Sequence, residues 1–107
     1  MAGQATYTIN PSSTDVIRGG HKNTVTAGTA VALASSSTPC YDLIVQAKRT
    51  NTGRIYVAGS GVLNDDTNGI YLTAGQSIPM SAINLTQVYI NSTVDAEGVS
   101  FTYFTTV

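Results

Sequence analysis

The chain has 107 residues and a formal charge of −1 at pH 7; 10% of its residues are charged and 42% are hydrophobic. This length suits one compact domain, and the apolar content is too high for a disordered chain. Five basic residues against six acidic ones give no electrostatic footprint for nucleic acid. No apolar run approaches the ~20 residues that cross a bilayer, so we expect no membrane partner.

Hydroxyl residues replace the missing charges. The sequence contains sixteen Thr and ten Ser, and its charged fraction lies far below the usual ~25%. The β-branched side chain of Thr fits a half-buried pleated surface, so the composition favours an all-β domain with a neutral exterior. The first residues lack the basic region and apolar stretch of a signal peptide, and we therefore expect synthesis in the cytoplasm without secretion.

The first 21 residues differ in pattern from the rest. Residues 5–9 are a short predicted strand, Pro11 interrupts it, and Gly19-Gly20 add a predicted flexible joint. We divide the chain into an N-terminal arm or edge segment, residues 1–21, and a β-sandwich domain, residues 22–107. Two interpretations of the first segment stay open: an arm that docks on a neighbour, and a loosely ordered terminus or first edge strand.

Short apolar runs and turn signals alternate after residue 22. A two-residue period is clearest at residues 41–48, and Asn51-Thr52-Gly53 then offers the residues of a tight hairpin. The residues predicted to face inward are Tyr41, Leu43, Val45, Ala47, Ile55 and Val57. Within the last predicted strand, one face is shared by Val99, Phe101 and Tyr103. Further strands are predicted within 29–33, 70–72, 77–80 and 87–91. No helical period lasts two turns. About eight short strands predict a single antiparallel β-sandwich of jelly-roll or Greek-key type.

Residues 64–69 are the candidate metal site in the sequence. Asn64, Asp66 and Asn68 followed by Gly69 fit the opening of a calcium loop, but the twelfth position is Gly75 instead of Glu, and no helices flank the loop. Clusters of Asp, Asn and Gly are also ordinary hairpin material. We therefore predict no metal and no cofactor.

A catalytic constellation is equally hard to assemble from these residues. Nucleophilic catalysis would need His21, the single histidine, near Cys40 or a serine, with an acid to orient it. Cys40 follows Pro39 at a strand entry and is interpreted as a small apolar packing residue. Asp65 and Asp66 are sequence neighbours in a turn and would not converge on a substrate. We predict that the protein has no catalytic residue and is not an enzyme.

Two tyrosines and a basic segment are the candidate contact residues. Tyr56 and Tyr89 fall on the outward phase of their predicted strands, where they would pack against a partner or stack on a sugar. Arg18-Gly19-Gly20-His21-Lys22 places three potential cations beside two glycines. This segment is either a solvated linker or a contact for a negatively charged partner surface.

Five stretches within residues 22–104 resemble segments of small structural proteins of tailed bacteriophages. They read VTAGTAVAL at 25–33, NTGRIYVAGSGV at 51–62, LTAGQS at 72–77, NLTQVYI at 84–90 and GVSFTY at 98–103. This resemblance implies the β-sandwich of phage capsid decoration (cement) proteins and of head-fibre or tail-associated proteins. It carries no catalytic motif.

The resemblance implies a decoration protein on the outer capsid surface of a virion, synthesised in the host cytoplasm. Its partners would be the major capsid protein and copies of itself, as a dimer or trimer, and its contacts would stabilise neighbouring capsid subunits. The expected contact residues of the N-terminal segment are Tyr7, Ile9, Arg18, His21 and Lys22. The alternative is a head-fibre or tail-associated module that binds host surface carbohydrate.

Overall fold

The computed structural model of the protein describes residues 15–82 and 84–106. In these ranges the chain forms eight strands and one turn of 3-10 helix at Leu85–Gln87, which confirms the predicted all-β class. The strands are β1 (Asp15–Asn23), β2 (Val31–Ala32), β3 (Tyr41–Ala47), β4 (Ile55–Ala58), β5 (Ile70–Leu72), β6 (Ser77–Met80), β7 (Tyr89–Ser92) and β8 (Gly98–Thr106). The strand predicted at residues 5–9, with Tyr7 and Ile9, lies outside the described residues.

The strands form two antiparallel sheets of four. Sheet 1 has the order β1-β8-β3-β6, and sheet 2 has the order β2-β7-β4-β5. Strand β8 lies between β1 and β3 and pairs with both along most of its length. Neighbours in each sheet are mostly distant in sequence, as in sandwiches of Greek-key type. In the described part of the chain, no helix is long and apolar enough to span a membrane.

The apolar core joins the inner faces of the two sheets. Leu43, Val45 and Ala47 of β3 are completely buried, as their two-residue period predicts. Ile55 and Val57 of β4 belong to the same cluster from the opposite sheet. Burial of each of the larger side chains contributes about 1.5–3 kcal/mol, so this cluster is the main source of stability.

The inward orientation predicted for Tyr41 is wrong. Its side chain is 37% exposed, because the register of β3 against β8 shifts between Tyr41 and Ile44 and Asp42 adopts a φ of 51°. A bulge of this kind re-aims the neighbouring side chains. The ring of Tyr41 lies on the outer face of sheet 1 and stacks on Phe104, with centroids 5.8 Å apart and an interplanar angle of 25°.

The two glycines predicted as a flexible joint lie instead within β1. Gly19 pairs with Thr102 and Gly20 pairs with Phe101. A Cβ added to Gly20 would lie 2.8 Å from Cζ of Phe101, so the aromatic ring occupies the space that a side chain would need. The predicted division between residues 21 and 22 falls inside β1, and residues 15–21 therefore lie in sheet 1.

Candidate interaction surface

The outer face of sheet 1 carries a group of apolar side chains drawn from all four strands. We call it the apolar patch, and its residues are Ile17, Tyr41, Ile44, Pro79 and Phe104. Ile17 is 65% exposed and Ile44 is 48% exposed. The register brings these residues together, because Ile17 and Tyr41 both pair with Phe104 and Ile44 pairs with Pro79. The sequence pattern did not predict the apolar patch, although Ile44 is an apolar residue on the outward phase of its predicted strand.

A groove of about 380 Å³ opens in the patch beside Ile44. Its other lining residues are Asp42, Leu43, Pro79, Met80, Ser81 and Phe104. It lies where the bulge of β3 passes the end of β6, so the same irregularity that exposes Tyr41 also shapes the groove. A concavity with mostly apolar walls suits an apolar side chain of a partner.

The two ends of this outer face carry opposite charge. Asp15 and Asp42 lie at the end where β1 and β3 begin. A hydrogen bond with Asp15, desolvation and the charges of both carboxylates together raise the pKa of Tyr41. At the other end, the Nζ of Lys48 lies 3.1 Å from Nδ1 of His21. The face therefore runs from acidic to basic along the strands, with the apolar patch at and beside its acidic end.

The predicted basic cluster is divided by the strand. Arg18 and Lys22 share one side of β1, opposite Tyr103 and Val99, whereas His21 points to the other side. Arg18 is exposed and Lys22 is half-buried. Because successive side chains of a strand alternate, the structure brings His21 to Lys48 and separates it from the other two cations.

Tyr56 faces outward from the core as predicted, but it is not exposed. Its side chain is 1% exposed and its hydroxyl donates to Oδ1 of Asp66 at 2.8 Å, because the loop between β4 and β5 folds over this face of sheet 2. Nη1 of Arg54 donates to the same hydroxyl at 3.3 Å, and the Arg54 guanidinium lies 4.5 Å from the ring centroid of Tyr71. Tyr56 is thus unavailable as a partner-facing aromatic, whereas Tyr89 is half-buried.

Asp65 and Asn68 of the candidate calcium loop form hydrogen bonds with neighbouring residues of the same turn. The hydroxyl and N–H of Thr67 donate to Oδ1 of Asp65, and these two hydrogen bonds lower the pKa of Asp65. The N–H of Leu63 donates to Oδ1 of Asn68 at 2.8 Å. No group of three His, Cys, Asp or Glu side chains in residues 15–82 and 84–106 is arranged to hold a metal ion.

Cys40 is a packing residue, as predicted. It is 5% exposed and belongs to the apolar core, and its Sγ lies 3.8 Å from the carbonyl oxygen of Ala82. Desolvation raises the pKa of its thiol. A buried thiol with little thiolate character is a poor nucleophile and a poor partner for disulfide exchange.

No known protein family and no curated protein matches this chain. Among solved structures, it is similar to a protein of the Bacillus endospore appendages, which are described as a novel family of disulfide-linked pili. The two chains are 18% identical, the alignment covers 98% of this chain and 99% of the other, and the TM-score is 0.46. The pilus description belongs to the appendage protein. The resemblance to phage proteins stays a prediction.

Proposed function

We propose that this chain is a non-enzymatic structural protein that docks onto a larger protein assembly, and more narrowly that it is a decoration protein on the capsid of a tailed phage. The observation that carries this proposal is strand β1. It is nine residues long and stands at the edge of sheet 1, and no other described strand pairs with its outer side. Its expected length is about 30 Å.

A long edge strand presents a row of backbone N–H and C=O groups to a partner. Such an edge is a template for the addition of a strand from another chain. Natural proteins usually protect their edges with charges, bulges or prolines; β1 carries the charged residues Asp15, Arg18 and Lys22, but it has no proline and its register with β8 shows no bulge. The edge thus supports docking, and Arg18 would add an ion pair with an acidic capsid surface.

The neutral exterior supports the same function. With only 10% charged residues, most of the surface consists of Thr, Ser and apolar groups. These groups are less strongly hydrated than ions, so covering them in an assembly costs less free energy. Many copies on a symmetric shell add weak contacts into stable attachment.

The experiment adds purified protein to phage heads that lack it and measures co-sedimentation and the temperature at which the heads rupture. We expect binding and a higher rupture temperature. The variant Arg18→Glu should bind more weakly, whereas Arg49→Glu, an equal charge change on an exposed loop, should bind like the parent chain. Heads that neither bind the protein nor change their rupture temperature would overturn the capsid role.

Deletion of residues 1–14 tests the predicted arm. This truncation leaves β1 intact, because β1 begins at Asp15. The shortened chain should keep its fold and lose capsid affinity. Equal binding by the shortened and full chains would remove the arm, and with it Tyr7 and Ile9, from the interface.

A second function is favoured by a groove on the outer face of sheet 2. Its volume is about 590 Å³, and its polar lining includes Arg54, Asn64, Asp66 and Thr93. Convergent amide, guanidinium and carboxylate groups are suited to the hydroxyls of a sugar, as the carbohydrate-binding alternative requires. Binding of the chain to immobilised host glycans, lost in Arg54→Ala and kept in Arg49→Ala, would support this function, and no binding would reject it.

A further inference from the structure

We propose that two copies of this chain pair face to face through the apolar patch on sheet 1, related by a two-fold axis that runs across the strands. This inference deepens the proposed function, since it names a second copy as one of the partners. The pairing leaves the outer edge of β1 free for the assembly. The charge, shape and area of the outer face of sheet 1 support a second copy as the occupant of the apolar patch.

Charge selects the relative direction of the two copies. On each outer face, Asp15 and Asp42 lie at the start of the strands and Lys48 with His21 at their ends. A two-fold axis along the strands would place the acidic ends together. An axis across the strands reverses their direction and sets the acidic end of each copy against the basic end of the other, which is an isologous and electrostatically complementary contact.

Shape selects the register. If the axis crosses β1 at Arg18, Asp15 of one copy lies opposite His21 of the other, because both are three residues from that point. The same register sets Ile17, which is 65% exposed, opposite Gly19 of the second copy. Gly19 has no side chain on this face, so it leaves room for the isoleucine.

The same axis sets an exposed apolar side chain beside the groove of the second copy. On β3, Ile44 of one copy comes opposite Tyr41 of the other, because the two residues lie one position to either side of Tyr103 across β8. Tyr41 stacks on Phe104, which lines the groove of about 380 Å³. Ile44 is 48% exposed, so in a single copy its apolar atoms remain in water. An exposed apolar side chain that packs on an aromatic pair beside an apolar groove is the pattern of an interface anchor.

The area of the outer face of sheet 1 sets the affinity that we expect between the two copies. Four strands about 4.8 Å apart and up to nine residues long give a face of about 500 Å², which is at the low end of specific interfaces. We therefore expect a dimer that dissociates at micromolar concentrations in solution. On a shell, where neighbouring copies are held at high local concentration, the same contact would be occupied.

The experiment measures the mass of the full chain by analytical ultracentrifugation from about 1 µM to about 1 mM, a range that brackets a micromolar Kd. We expect a monomer–dimer equilibrium. Ile44→Ser should raise the Kd by roughly tenfold or more, which is the loss expected at an interface anchor. The matched control Ile70→Ser changes an isoleucine that is 52% exposed on sheet 2, and its Kd should be unchanged.

A charge exchange tests the direction of pairing. Asp15→Lys should weaken the dimer, because it sets a lysine opposite the end of the other copy that carries Lys48, and the double variant Asp15→Lys with His21→Asp should restore it. Circular dichroism and thermal melting of every variant distinguish lost pairing from lost folding. Recovery in the double variant is specific to the antiparallel arrangement.

Three results would overturn the pairing. The full chain would remain monomeric at every concentration, or Ile44→Ser and Ile70→Ser would have equal effects, or dimers would appear only after residues 1–14 are deleted. The last result would assign the patch to that segment of the same chain. None of these results depends on phage heads, so the pairing and the capsid role stand or fall separately.

Discussion

The buried side chain of Asn51 binds both backbone groups of Gly98. Nδ2 of Asn51 donates to the carbonyl oxygen of Gly98 at 2.8 Å, and the N–H of Gly98 donates back to Oδ1 at 3.3 Å. The amide thus adds to the backbone hydrogen bond that Lys48, just past the end of β3, donates to the first residue of β8 at 3.1 Å. A Cβ at Gly98 would overlap the carbonyl oxygen of Lys22 and the side chain of Asn23, so β1 also approaches this residue closely.

Replacement of Asn51 by alanine should destabilise the fold. The change leaves the buried N–H of Gly98 without this partner, while the carbonyl oxygen keeps the N–H of Lys48 at 3.1 Å, and we expect a loss of about 1–3 kcal/mol of unfolding free energy. Urea unfolding monitored by circular dichroism measures this loss. Asn68→Ala, at an exposed residue that bonds only within its loop, should have a smaller effect. A similar loss in both variants would contradict the role given to Asn51.

The two adjacent glycines of β1 should respond oppositely to alanine. At Gly20 the new methyl group would meet the ring of Phe101, and overpacking of this kind costs about 1–3 kcal/mol. At Gly19 the nearest atom to a new Cβ is a carbonyl oxygen at 3.5 Å, an ordinary contact, so Gly19→Ala should be neutral or slightly stabilising. Thermal unfolding of the two variants provides the comparison. Equal melting temperatures would mean that the Phe101 ring moves aside freely.

Glu97 should make stability depend on pH in the acid range. Desolvation by itself would raise the pKa of Glu97, but hydrogen bonds from the N–H groups of Thr52 and Gly53 and from the Thr52 hydroxyl outweigh it and lower the pKa. The folded state therefore favours the carboxylate. Its contribution is complete above the pKa of the unfolded chain and is lost as the pH falls through the lower pKa of the folded chain.

The pH effect is measured by urea unfolding at intervals from neutral pH to about pH 3, where an ordinary Glu is protonated. The parent chain should lose unfolding free energy over this range. Glu97→Gln should begin with lower stability at neutral pH and lose less of it on acidification. Asp65, whose pKa is also lowered, contributes in the same direction and remains in both chains. Identical pH profiles would show that Glu97 is not the responsible group.

The thiol of Cys40 should react only after unfolding. Its burial and raised pKa keep it protonated and covered, so labelling by a thiol reagent should be slow in buffer and should rise with the unfolding transition in urea. Ser60→Cys supplies an exposed thiol as the positive control. Rapid labelling of Cys40 in the folded chain would contradict its place in the core. Slow labelling would support a buried thiol that is not available for a disulfide between copies of this chain.

The sequence predicts the core well where the two-residue period is unbroken. In β3 and β4, Leu43, Val45, Ile55 and Val57 are buried as predicted, because alternation along a strand is a local property of the backbone. The period fails at Tyr41. There a positive φ at Asp42 shifts the register, and the sequence carries no glycine or Asn to signal it.

Features that depend on distant residues were predicted poorly. The two-residue period places Tyr56 on the correct side of its strand, but the exposure of its side chain depends on how the loop between β4 and β5 folds over sheet 2. Gly19 and Gly20 have the composition of a joint, but backbone pairing with Thr102 and Phe101 of the distant strand β8 holds them in a strand. The apolar patch likewise appears only when Ile17 and Phe104 are paired across β1 and β8.

The position of β8 between β1 and β3 has a consequence for synthesis. Strands β1 and β3 are made early, but each hydrogen-bonds to a strand that the ribosome completes only when it reaches residues 98–106. Sheet 2 has all four of its strands by residue 92, so its pairing does not need β8. Sheet 1 cannot be completed before β8 is in place, and until then the unpaired edges of β1 and β3 are open to aggregation.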